Sequence, residues 1–141
     1  MVAQFLVPLI FTAVALVVAQ TLPGKHKIPE LPLALSRYGP TSVPIALDSN
    51  AGPLVIALAE AYAAQLATQS ATPVANLTDF SEYVLNNAMR EGGAFNEHCV
   101  VGAAFSGRTS KFAEITGYFN NQGYHTAATA LMLVDNALYR L

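Results

Sequence analysis

Phe95-Asn96-Glu97-His98-Cys99-Val100-Val101, continuing to Phe105-Ser106-Gly107-Arg108-Thr109-Ser110, holds the only cysteine of the chain. The rest of the chain is read as a helical body that carries this residue. Asn96 suits a helix N-cap and Gly107 a helix stop, so the spacing predicts a helix over 96–106. Cys99 then lies in the first turn, where the positive field of a helix N-terminus favours thiolate and speeds disulfide exchange. Glu97 opposes that field, and His98 assists it only when protonated.

Working outward, the same periodicity predicts four more helices. Downstream, 110–121 carries Phe112, Ile115 and Phe119 before Gly123, and 126–140 carries Ala127, Ala130, Leu131, Val134 and Leu138. Upstream, 79–91 carries Phe80, Tyr83, Val84 and Ala88 or Leu85, with Asp79 and Glu82 as a capping box and Gly92-Gly93 as its stop. Gly52-Pro53 opens 54–69, whose single charge is Glu60. So apolar a helix is expected to be buried on several sides, as the centre of a bundle or as an oligomer contact. No stretch alternates convincingly with period two. The expected fold is all-α: a compact bundle of about five short helices preceded by a proline-rich extended arm, occupying 51–141 and 20–50 respectively.

In the arm, Pro23, Pro29, Pro32, Pro40 and Pro44 exclude a helix, because each lacks an amide donor and restricts its predecessor. Lys25-His26-Lys27 is a small basic cluster expected to be solvated. Ile28, Leu31, Leu33 and Leu35 imply that the arm lies against its own bundle or a partner. Residues 1–19 carry no charge and have the length of a signal-peptide core, with Val17 and Ala19 placed for cleavage. The expectation is a signal peptide; the alternative is a retained membrane or filament helix, which the missing basic residues and Pro8 leave open.

The composition limits function more than it identifies it. In 141 residues, 53% are hydrophobic and 11% charged, against about 25% charged in ordinary soluble domains. A net charge of −2 points to no nucleic-acid partner. A surface this poor in charge suits a protein that lives in an assembly.

A lone cysteine in a secreted chain is buried and inert, free and reactive, or bonded to another chain, and the sequence leaves all three open. Catalysis lacks company: a cysteine nucleophile needs an oriented base, and His26 and His125 more simply decorate loops or helix starts. Glu97, His98 and Cys99 on one helix fan out by about 100° per residue, so they cannot share a metal. Gly92-Gly93 follows a helix rather than a strand and makes no phosphate loop. Glu114 lies near Lys111 and Tyr118 as an ordinary surface group. No catalytic residue, metal site or cofactor is expected. Asn76-Leu77-Thr78 is an N-glycosylation sequon in the turn 70–78, and equally a source of caps for the following helix.

The run from Asn96 to Val101, followed by Phe105, Ser106, Arg108 and Ser110, resembles the segment around the linking cysteine of insect silk fibroin light chains. Asp79-Phe80 and the Phe95-Asn96 approach add to the resemblance. It implies a secreted, mostly helical, non-enzymatic protein whose Cys99 bonds to a cysteine of a repetitive heavy chain. The family is longer and holds further, internally paired cysteines, which this chain lacks. The resulting expectation is a secreted extracellular structural protein, disulfide-linked through Cys99 to a fibrous silk-like partner or to its own twin. Its partners would meet Cys99 and the apolar helix surface, and the mature form would be free of the membrane. The alternatives are a helical binding module for a small apolar ligand, and a self-assembling filament or coat subunit that uses the N-terminal helix.

Overall fold

Val101–Thr109 is a strand (β3), and Phe112–Phe119 is its antiparallel neighbour (β4). Two of the expected helices are therefore absent, and the chain is an α/β protein rather than an all-α bundle. The computed structural model describes residues 2–21, 29–109 and 112–141. Pro23, the Lys25-His26-Lys27 cluster, Ile28, Ser110 and Lys111 lie outside the described residues. Two compact units result, Met1–Pro32 and Leu33–Leu141.

The first unit contains α1 (Val2–Thr21), a 20-residue helix without an acidic or basic side chain. Pro8 lies inside it, and the Thr12 hydroxyl donates to the Pro8 carbonyl at 2.8 Å.

The second unit starts with a short 3-10 turn at Leu35–Tyr38 and then β1 (Thr41–Leu47). After it come α2 (Pro53–Ala67), β2 (Ala71–Leu77), α3 (Phe80–Glu91) and α4 (Gly93–His98). After β3 and β4 the chain ends in α5 (Thr126–Tyr139). The strand order is β2-β1-β3-β4, with β1 parallel to both β2 and β3. The segment expected to be an extended arm thus supplies the central strand. Val43 and Ile45 favour an extended chain. Pro44 is tolerated because β3 pairs only with Ile45, Ala46 and Leu47, so the proline precedes that ladder.

The two faces of the sheet are covered differently. Val43, Ile45, Val101, Ala103 and Phe105 join α2 and α5 residues in one buried cluster that includes Val55, Leu58, Tyr62, Leu66, Ala130 and Leu133. The buried positions of α2 are Val55, Leu58, Ala59, Tyr62, Gln65 and Leu66, a single stripe at helical spacing. The helix packs by that stripe and exposes Ile56 and Glu60, so it is not the centre of a bundle. Pro44 and Gly102 face the opposite way. A Cβ at Gly102 would meet the Phe80 ring at 2.5 Å, which places the start of α3 directly over the strand. Asp79 begins that helix as its N-cap, accepting from the amides of Ser81 at 2.8 Å and Glu82 at 3.1 Å.

Candidate functional site

The chain leaves β1 through α2 to reach β2 on one side, then returns through α3 and α4 to β3 on the other side. Between β1 and β3 the direction of the connections reverses. In open α/β sheets, the carboxyl ends of the strands at such a reversal leave a crevice between diverging loops, where ligands usually bind. A hollow of about 320 Å³ lies there, lined by Ala46, Asp48, Ser49, Thr78, Ser106 and Tyr118 among others.

Phe80 and Tyr118 form its wall, stacked with ring centroids 3.8 Å apart above Gly102. On the far side of the same pair is a second hollow of about 190 Å³, which is lined by Val84, Phe95, Asn96, Cys99 and Asn120 among others. The wall exists because Gly102 pairs with Tyr118 across β3 and β4, so the missing side chain makes room for the ring above.

Both carboxylates of the larger hollow already hold backbone amides. The Asp79 carboxylate caps α3, and Asp48 Oδ1 accepts from the amide of Asn50 at 3.0 Å. Neither has a histidine or cysteine among its hollow's lining residues. No group of three His, Cys, Asp or Glu side chains able to hold a metal occurs among the described residues. The arrangement offers hydroxyls and two fixed carboxylates to a solute.

Cys99 is placed differently from the sequence-based expectation. Gly92, with φ of 60°, ends α3 and the chain turns at once into α4, so Asn96 lies inside that helix instead of capping it. Cys99 is the C-cap, its amide donating to the Phe95 carbonyl at 2.9 Å. It therefore sits at the negative end of the helix rather than the positive one. The side chain is buried, and burial pushes the thiol from its ordinary 9.0 up to about 11. The expected activation is reversed. Folded protein should react slowly with a thiol-alkylating reagent near neutral pH, and faster as pH approaches 11. Fast labelling of native protein at neutral pH would contradict the burial. The linkage has a definite sign: a raised acid pKa in the folded state adds stability below the unfolded value of about 9, and that stability is lost as pH climbs from there to about 11.

His98 reaches Glu91 at 3.3 Å and packs edge-on to Phe95. His125 precedes α5 and does not line the hollow that holds Cys99. Asn76 is exposed on β2 and lines neither hollow at the Phe80–Tyr118 wall. The structure does not bring Cys99 and Asn76 together.

Asn120, expected to lie near the end of a helix over 110–121, instead follows β4 and fastens this region. Its side-chain amide donates to the carbonyls of Asn96 at 2.7 Å and Cys99 at 2.9 Å, while its own carbonyl accepts from the Thr126 hydroxyl at 2.6 Å. One side chain thus ties the end of β4 to the junction of α4 and β3. The only signal was its place in Asn120-Asn121, directly after an aromatic run.

No protein-family model matches the chain. It is 37% identical over 139 residues to the phospholipid-transporting ATPase ABCA3 of Mus musculus, and equally to that of Homo sapiens. Each alignment covers 99% of this chain and 8% of the relative. ATP-binding cassette sub-family A member 17 of Mus musculus is 31% identical over 111 residues, covering 79% of this chain and 6% of the relative.

The homologues are regions of A-subfamily ABC transporters, a membrane-associated family. The chain spans about 8% of the length of the ABCA3 proteins it matches. Likeness along the whole chain overturns the short resemblance to silk fibroin light chains around Cys99. With it go the secreted structural function, its carrier and filament alternatives, and the secreted extracellular location.

Proposed function

We propose that this chain is a membrane-anchored segment of a transporter like its relatives, in which α1 crosses a bilayer and the α/β unit is a folded, non-enzymatic domain in the adjoining water. The observation that carries this is α1 itself. Residues 4–21 of that helix are exposed, with Phe5 at 77% and Leu9 and Phe11 at 71%. Twenty uncharged residues at about 1.5 Å rise span roughly 30 Å, the thickness of a bilayer's hydrocarbon core. In water such a surface is strongly unfavourable; in lipid it is matched. Hydroxyls fit too, since Thr12 and Thr21 bond back to carbonyls of their own helix.

The non-enzymatic half of the proposal is supported by the engaged carboxylates of the larger hollow. It is also supported by the sequence, in which no G-x-x-x-x-G-K-[ST] phosphate loop occurs. On this proposal the full-length protein moves a phospholipid, as the name of the ABCA3 relatives says of them, and the ATP-driven step lies outside this segment.

Alkaline carbonate extraction of membranes from expressing cells tests the anchor. The chain should stay in the pellet with its N-terminal helix intact. A double change, Leu9→Arg and Val14→Arg, adds about 2.5–3.5 kcal/mol per charge at the bilayer centre and should release it. A soluble wild-type chain, or one whose N-terminus begins at Gln20, would sink the proposal.

A further inference from the structure

We propose that Asn76 carries an N-linked glycan, so that the α/β unit faces the compartment in which oligosaccharide is transferred. Sidedness rests on the membrane-anchor proposal; the glycan requires only that the unit be translocated. Asn76-Leu77-Thr78 is followed by Asp79, so no proline blocks the acceptor sequence. Both Asn76 and Thr78 are exposed in the folded unit.

The backbone gives Asn76 an unusual position. Pro44 pairs with Val74 and Ala46 with Leu77, so β2 holds one residue more than β1 between these pairs. That bulge includes Asn76, whose φ of 65° is left-handed. Asparagine is among the few residues with a side chain that accept this conformation readily. The bulge also lies on an outer strand of the sheet, since the order begins with β2. Asn76 lines two surface hollows, one with Ser49 and Ile56 and one with Glu82 and Tyr83, so there is open space beside it for a first sugar.

The transfer is an ordinary substitution. The Asn76 amide nitrogen attacks the anomeric carbon of a lipid-pyrophosphate-linked oligosaccharide. A C–N bond forms, the bond to pyrophosphate oxygen breaks, the lipid pyrophosphate leaves with the electron pair, and the amide loses one proton. The product serves the fold. An outer strand presents unpaired backbone groups that invite pairing with another chain, and Pro73 together with the bulge blunts this one only in part. A glycan at the bulge screens the remainder.

The test expresses the full chain in animal cells, with a reporter sequon on a flexible linker after Leu141, and reads mobility with and without peptide N-glycosidase. A glycan step at Asn76 should vanish in Asn76→Gln and Thr78→Ala and survive in Thr78→Ser. If the reporter is glycosylated and Asn76 is not, the proposal falls and the anchor stands. If neither is modified in a chain that resists carbonate, the proposal also falls, and the unit lies on the side that Lys25 and Lys27 favour by charge. A glycosylated Asn76 in a chain that carbonate releases keeps the glycan and removes the anchor.

Discussion

Phe105→Ala should destabilise the α/β unit by about 3–5 kcal/mol, a large share of the roughly 5–15 kcal/mol that holds a domain together. Phe105 is 1% exposed, pairs with both Leu47 of β1 and Ile115 of β4, and meets Tyr62 of α2 edge-on at 5.5 Å. Its removal leaves a cavity where the sheet and the α2–α5 layer meet, and neighbours tied into two ladders cannot collapse into it. Urea denaturation of the full chain in detergent, followed by near-ultraviolet circular dichroism, would measure the loss. Tyr62→Phe is the control. It keeps the ring and deletes a buried hydroxyl without a hydrogen-bond partner, so stability should hold or rise. A loss below about 1 kcal/mol for Phe105→Ala would mean that β3 does not lie in the core as described.

Gly107→Val should produce the second large effect, through the backbone. Gly107 has φ of 134°, a conformation that costs a residue with a side chain about 1–3 kcal/mol, and more when it is β-branched. A Cβ there would also stand 2.6 Å from the Phe112 carbonyl oxygen. The position matters beyond the hairpin, because the Gly107 carbonyl accepts from the amide of Gly52 at 2.8 Å, where α2 begins. Hydrogen exchange should therefore show lost protection both across the β3–β4 pair and in the first turn of α2. Loss confined to the hairpin would separate the two elements and contradict this coupling.

Three helices were legible in the sequence because their signals are local. Gly52-Pro53 opens α2, Asp79 caps α3, and the apolar stripe of α5 repeats at helical spacing. The strands were not, for reasons that differ from one to the next. β1 contains Pro44 and β2 contains Pro73, and each proline reads locally as a breaker. β3 carries Ala103 and Ala104, good helix formers held extended by pairing on both sides. In β4 the spacing of Phe112, Ile115 and Phe119 fits a helix, whereas the observed ladder places Ile115 opposite Phe105.

The site was legible in part. The sequon at Asn76 is visible to inspection, but its bulge depends on β1, far away in the chain. Cys99 draws attention by being alone, and its first-turn placement failed because Gly92 restarts the helix earlier than Asn96 suggests. The resemblance around Cys99 rested on about a dozen residues, too few to outweigh likeness along the whole chain. Little local marks the role of Asn120, since both carbonyls that its side chain holds lie in another element.

The central position of β1 has a consequence for how the molecule is made. Its first partner, β2, follows only after α2, and its second, β3, waits until α3 and α4 have been synthesised, so Ile45 meets Ala103 late. Until then the β3-facing edge of this largely buried strand stands open, and contacts this distant along the chain form slowly. During translation the nascent unit therefore passes through a stage at which it is open to mispairing and to capture by chaperones. Any truncation before Val101 would hold it at that stage permanently.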